Sequence, residues 1–336
     1  MSDIITLAHG SGGRLTHNII NDLFYRNFEN SILKEGGDSA VFEVPKGRMA
    51  FSTDSYVITP ILFRGGNIGK LAVCGTVNDL AVSGARPLYL SCGFIIEEGF
   101  EISCLETIAA SMAETAREAG VHIVTGDTKV VQRGAADKIF INTSGIGEII
   151  DGVHISPDRI SIGDSVIITG TVGDHGTSIL IERENFKIRT GLESDCCPLN
   201  IMLNGLCAEF KKDIHVLRDP TRGGVATTLN ELVEGRSFGI KVDENMLPVR
   251  DEVRGVCEML GLDPLYMANE GKAIVIVSKD KSDAVLKKLK EHRYGKDAKV
   301  IGEVTGLYPG KVFTSTLTGG SRIIDMLVGD QLPRIC

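Results

Sequence analysis

Tryptophan is absent from this 336-residue chain, and aromatic residues make up only 5% of it. So few rings leave little with which to stack on nucleobases. There is no basic surplus either: 36 Lys and Arg against 44 Asp and Glu give a net charge of −8, which argues against a large nucleic-acid footprint. A nucleotide carried with its own metal is not excluded. No apolar run approaches the ~20 residues needed to cross a bilayer. The stretch from Met1 to Arg14 lacks the basic start and apolar core of a secretory signal, so a cytoplasmic protein without membrane contact is expected. Eight cysteines are present, yet none forms a C-x-x-C and no Cys/His set has zinc-ligand spacing. In a chain of this length without a secretory signal, reduced thiols are expected.

What the chain has in excess is glycine, 39 of 336 residues against an average of about 7%. No Gly-X-Y period accompanies it, so these glycines serve turns and loops. The length, at ~150 residues per domain, predicts about two domains. In the first half, Leu15, Ile19, Ile20, Leu23 and Phe24 recur at helical spacing within residues 13–29. Strands are predicted at 40–44, 48–53, 88–96, 121–125 and 138–149, with helices at 67–83, capped by Asn67, and 101–119, ended by Gly120. Paired strands rather than strict alternation indicate an α+β fold with a partly antiparallel sheet. Gly152, Pro157 and Gly163 mark a boundary, after which the mixture repeats. The reading divides the chain into a Gly-rich segment and helix at 1–35, a first α+β domain at 36–152, a second at 153–324, and an unpatterned, flexible tail at 325–336 interrupted by Pro333.

Four aspartates of the first half stand beside glycine or at element ends: Asp38, Asp54, Asp79 and Asp127. Aspartate favours turns and caps in any case. A hard divalent ion, however, needs several carboxylate oxygens, and magnesium shares them with phosphate. Both a set of turn residues and a metal–phosphate site are open on this pattern. His9-Gly10-Ser11-Gly12-Gly13 before the first helix reads as a phosphate cradle or a mobile start; it is no Walker A loop. In the second half, Asp219-Pro220-Thr221-Arg222-Gly223-Gly224 leads into a helix, either as a plain joint or as an anion loop with Arg222 as phosphate partner. Glu270 stands at the mouth of a strand. The chain ends in Cys336. Its own carboxylate disfavours a thiolate, so a self-activated nucleophile is not expected; a thiol at a flexible end is suited to being carried between sites.

Together Gly37-Asp38-Ser39-Ala40, Thr53-Asp54-Ser55, Asn78-Asp79-Leu80-Ala81, Gly126-Asp127-Thr128 and Asp219-Pro220-Thr221-Arg222-Gly223-Gly224 resemble the ATP-binding superfamily of aminoimidazole ribonucleotide synthetase, selenophosphate synthetase and thiamine-monophosphate kinase. Within it, His9 to Gly13 and the ending Pro333-Arg334-Ile335-Cys336 resemble the hydrogenase maturation family HypE.

The resemblance implies two α+β domains, the first pairing with its copy in a homodimer near which ATP binds. It implies that a carbamoyltransferase, HypF, loads Cys336 and that ATP drives dehydration of the S-carbamoyl group to S-cyanide. The cyanide would pass to iron on a HypC–HypD complex, on the way to the [NiFe] hydrogenase centre. Asp38, Asp54, Asp79 and Asp127 would hold Mg²⁺. Gly12, Gly13, Asn78, Thr128, Asp219 and Arg222 would join these aspartates around ATP. Glu270 is the candidate base for the amide protons, and Lys129 the candidate partner of phosphoryl or oxygen charge. His175 stays outside the catalytic set. A small-molecule synthetase or kinase of the same superfamily is the alternative, though it has no use for a terminal thiol; a non-catalytic scaffold that only receives the group is a third reading.

Overall fold

The computed structural model describes all residues except 1–3, 12, 36–38, 185, 187, 189, 316–319 and 328–333. Gly12 and Asp38 therefore lie outside the described residues, as does half of the tail, 328–333, with Pro333. The first helix follows its apolar spacing: α1 (Arg14–Ile19) runs through a π-helical turn (Ile20–Tyr25) into α2 (Arg26–Phe28), burying Ile19, Leu23, Phe24 and Phe28. Strand β1 (Met49–Tyr56) follows, then the two-residue strands β2 (Leu62–Phe63) and β3 (Gly66–Asn67). Helix α3 (Ile68–Val82) starts where the Asn67 side chain accepts the amides of Gly69 and Lys70 at 2.9 and 3.0 Å. Strand β4 (Ala85–Glu97), helix α4 (Ile102–Ala119), closed by left-handed Gly120, and strands β5 (His122–Val131) and β6 (Ile139–Ile149) complete the unit.

The sheet order is β1-β6-β4-β5, with β4 and β5 parallel and the other pairs antiparallel. Residues 40–44 form no strand, contrary to the sequence expectation. Val41 and Val44 are exposed and find no pairing partner, while Phe42 instead lays its ring 4.6 Å from Tyr89. One face of the sheet is packed on α3 and α4. The opposite face carries Phe51, Ile146 and Tyr89 in one row across three strands, with Phe51 71% exposed.

The second unit is a seven-stranded sheet, β13-β12-β9-β11-β7-β10-β8, in which only β12 and β9 run parallel. Its strands are β7 (Ser165–Ile168), β8 (Ile214–Arg218), β9 (Gly239–Val242), β10 (Ile274–Val277), β11 (Lys299–Thr305), β12 (Val312–Ser315) and β13 (Ser321–Ile324). Helices α5 (Asp174–Arg183), α6 (Asn200–Phe210), α7 (Gly224–Val233), α8 (Asp251–Leu260) and α9 (Ser282–Glu291) accompany them. Alternate residues of β10 enter separate cores on the two faces: Ile274 and Ile276 with α7, Val275 and Val277 with α6 and α9. No helix among the described residues is long and apolar enough to cross a membrane.

The two units share a buried seam. Asn78 of α3 donates its amide to the carbonyls of Cys197 and Glu270 at 3.1 and 3.3 Å and accepts the Leu199 amide at 2.8 Å. The core of the first unit is completed by Ile179, Cys196, Ala268 and Ile335 from the second half of the chain.

Candidate active site

The end of the chain is docked at this seam. The Arg334 carbonyl accepts from the Thr59 amide at 3.4 Å and from Arg183 Nη2 at 2.6 Å. The Ile335 carbonyl accepts from His175 Nε2 at 2.8 Å, and the Cys336 carbonyl from the Val57 amide at 3.1 Å. Arg334 returns Nε to the Val57 carbonyl and pairs Nη1 with Asp137 at 2.6 Å. Ile335 is buried, and Cys336 is half-buried against the first core. The unpatterned sequence gives no sign of this berth, because its holding groups lie on the segment after β1, the β5–β6 connection and α5.

Glu270 lies in the same seam, 4% exposed, at the entry to β10. Its amide donates to Asp195 Oδ1 at 3.0 Å, and Asp195 Oδ2 faces Lys272 Nζ at 3.1 Å. Between them Gly271 comes so close to the Asp195 carbonyl that a Cβ would fall 1.8 Å from its oxygen, which makes glycine the residue that fits. The carboxylate oxygen Oε1 is buried with no protein partner. Burial, then the Cys196 thiol and the charges of Asp195, Asp219 and Asp54, push Glu270 well above the usual carboxylate range. A raised, unpartnered carboxyl is a stronger base when ionised, as proton abstraction from an amide requires.

Asp54, Asp79 and Asp219 act on one another's charges. Asp79 accepts from the Ser52 hydroxyl at 2.7 Å and is raised mainly by burial; burial and the Asp79 charge push Asp219 up to about 7. Tyr56, beside them on β1, fits against α3 because Gly75 leaves room: a Cβ there would lie 2.2 Å from the Tyr56 oxygen. Asp127 does not join this group. Asp54 is aligned with Thr143, Thr143 with Cys92, and Cys92 with Gly126, so Asp127 sits three strands away, about 14 Å at a strand spacing of ~4.8 Å. Asp127 instead binds Lys129 Nζ at 2.5 and 2.7 Å, and this contact holds its carboxyl below the ordinary range. Among the described residues, no three His, Cys, Asp or Glu side chains are arranged to hold a metal ion.

The expected set is thus divided in two. Cys336, Glu270, Asp54, Asp79, Asn78 and Asp219 belong to the seam. Asp127, Thr128 and Lys129 belong to the far edge of the first sheet, where a cavity of about 190 Å³ opens between α1–α2 and strands β4 and β5, walled by Ile20, Phe24, Phe28 and Ile123. Gly13 caps α1 in extended conformation, and Arg222 is exposed ahead of α7. Asn78 has its side-chain amide committed to backbone of the second unit. Nothing in the spacing of Asp195, Lys272, Ser194 and Arg183 marks them in the sequence; His175, outside the expected catalytic set, holds the tail. The internal thiols behave as packing groups: burial raises Cys74, Cys92, Cys197, Cys207 and Cys257.

Comparison with known proteins decides the family. Residues 36–149 match the N-terminal domain, and 161–313 the C-terminal domain, of AIR synthase related proteins. The carbamoyl dehydratase HypE of Escherichia coli is 49% identical over 337 residues, covering 99% of this chain and 99% of its own. That of Bradyrhizobium diazoefficiens is 48% identical over 332 residues, 99% of this chain and 96% of its own. This chain belongs to the HypE family of carbamoyl dehydratases. A crystal structure of the hydrogenase maturation protein HypE in complex with ATP superimposes with a TM-score of 0.94 at 51% identity, covering 98% of this chain and 99% of that one. HypE in a HypE–HypF complex gives 0.81 at 46%, covering 92% and 99%. A thiamine monophosphate kinase from Aquifex aeolicus, at 18% identity and a TM-score of 0.60, shares the fold with 90% of this chain and 98% of its own.

Proposed function

We propose that this chain uses ATP to dehydrate an S-carbamoyl group on Cys336 to S-cyanide, supplying cyanide for the iron of a [NiFe] hydrogenase. The observation that carries this reading is the docking of Cys336 in the seam that also buries Glu270. Oxygen leaves an S–C(=O)–NH₂ group badly as hydroxide. Transfer of the ATP γ-phosphoryl to that oxygen, with loss of one N–H proton, gives ADP and an O-phosphorylated imidate, S–C(OPO₃)=NH; loss of the second N–H proton expels phosphate and leaves S–C≡N. Glu270, buried in the same seam, would take these protons in turn.

The carboxylates fit a divalent cation, because burial and neighbouring carboxylate charge raise Asp79 and Asp219, an environment that a positive ion would relieve. Asp54 and Asp79 would hold magnesium together with nucleotide oxygens, the sharing that this ion prefers. Bound there, Mg²⁺ supplies charge neutralisation of the phosphates. The cavity lined by Phe24, Phe28, Asp127 and Thr128 suits the nucleotide, and Lys129 reaches it through its pair with Asp127. The row of exposed Phe51 and half-buried Ile146 and Tyr89 fits pairing with a second copy. HypF is the carbamoyl donor, and a HypC–HypD complex the cyanide acceptor.

Intact mass tests the reading. Loading by the transferase with carbamoyl phosphate adds about 43 Da at Cys336, and ATP then removes about 18 Da, one water. Cys336→Ala should take up nothing while still binding Mg-ATP. Glu270→Gln should bind Mg-ATP, take up the adduct and retain it, slowed on the order of 100-fold. Water loss by Glu270→Gln at the wild-type rate would remove Glu270 from the chemistry.

A further inference from the structure

We propose that Ser194 is a positioning residue: it fixes the His175 tautomer that holds the tail and, through the adjoining Asp195, ties tail docking to the placement of Glu270. The inference deepens the dehydratase reading and rests on it for the role of Glu270.

The hydrogen bonds admit one proton arrangement. The Ile335 carbonyl can only accept, so His175 Nε2 carries a proton and donates across 2.8 Å. His175 is fully buried, and burial lowers its pKa, so the ring is neutral and Nδ1 is an acceptor. The group facing Nδ1 at 2.8 Å is the Ser194 hydroxyl, which must donate. The Ser194 oxygen in turn accepts the Cys196 amide at 3.1 Å, and the Ser194 amide donates to the Arg64 carbonyl at 2.9 Å. With the hydroxyl removed, the tautomer bearing its proton on Nδ1 becomes competitive, and it turns a bare nitrogen toward the tail carbonyl. One residue on, Asp195 holds the Glu270 amide and Lys272. The segment 194–196 therefore touches the berth of the tail on one side and the base on the other. An arriving tail that orders His175 and Ser194 also orders the residue that grips Glu270.

Amide exchange in the full-length chain reads both ends without ATP or a carbamoyl donor. The Val57 and Thr59 amides donate to the tail carbonyls, and the Glu270 amide donates to Asp195. In Ser194→Ala all three should exchange about fivefold faster, the loss expected of one hydrogen bond, while Val275 in the second sheet is unchanged. Ser194→Thr should restore wild-type exchange. Its isostere Ser194→Val should behave as the alanine variant, which keeps the comparison available if Ser194→Ala folds poorly. Single-turnover water loss should fall in the Ala and Val variants and recover in Thr. Unchanged exchange at Val57 and Thr59 overturns the tautomer lock. Faster exchange there with Glu270 unmoved overturns the tie to the base, and failure of Thr to rescue assigns the effect to packing and overturns the hydrogen-bonding role. A wild-type chain that never loses water sinks the dehydratase reading while leaving the exchange results to stand by themselves.

Discussion

Asp219 has a folded-state pKa near 7, well above the unfolded value of about 3.9, because burial and the charge of Asp79 oppose its ionisation. The sign follows from linkage: the folded state holds a proton that the unfolded state has released, so this residue's contribution to stability falls as pH rises from about 4 to about 7 and stays low above that. Asp219→Asn, which cannot ionise, should therefore raise the thermal midpoint of metal-free protein at pH 8 by a few degrees. The gap should close on acidification toward pH 4, as scanning calorimetry across pH would show. A variant equal to wild type at pH 8 would mean that the Asp219 charge is already offset in solution. The identity of Asp219 as a residue of interest was plain in Asp-Pro-Thr-Arg-Gly-Gly, but its neighbours were not: Asp79 lies on another domain's helix, and sequence distance conceals that encounter.

At the scale of elements, the helices were the most legible part. Asn67 and Gly120 punctuate α3 and α4 as cap and left-handed stop, chemistry confined to a few neighbouring residues. The segment 40–44 shows the opposite case, since alternating apolar residues make a strand only when an edge is there to pair with. The tail is a third kind: its lack of pattern is real, and Arg334 to Cys336 are held by the segment after β1 and by α5. Asn78 illustrates the same limit. Its position beside Asp79 suggests a nucleotide contact, whereas its three hydrogen bonds join α3 to the second unit. Asn78→Ala should destabilise the chain by about 2–4 kcal/mol, the range for leaving several buried backbone groups unsatisfied. Chemical denaturation measures this, and a cost below 1 kcal/mol would remove the clamp role.

For the whole molecule, the division of the expected site is the main consequence of sheet topology. Of the aspartates that look like one cluster in sequence, Asp54 on β1 and Asp127 on β5 stand on opposite edge strands of the four-stranded sheet, with Asp79 on α3 on the Asp54 side, and strand order reveals it. The row of Phe51, Ile146 and Tyr89 starts on the edge strand β1 and crosses β6 to β4. Phe51→Glu should place a charge in the face proposed to pair and turn the proposed homodimer into monomers, read by light scattering, with loss of ATP turnover but no loss of fold by circular dichroism. A monodisperse dimer in this variant would move the pairing surface elsewhere.

The berth of the tail makes the chain end a ruler. Three successive carbonyls are gripped, so the position of the thiol is counted from Val57 outward. Arg334 holds left-handed backbone (φ +54°), so a one-residue slip would move that strained conformation onto its neighbour and shift the thiol along the berth. An alanine inserted between Pro333 and Arg334 keeps the last three residues in register and should leave dehydration intact. An alanine added after Cys336 forces a choice between an overhanging carboxylate and a one-step slip that shifts the sulfur along the berth, and water loss should fall on the order of 100-fold by single-turnover mass measurement.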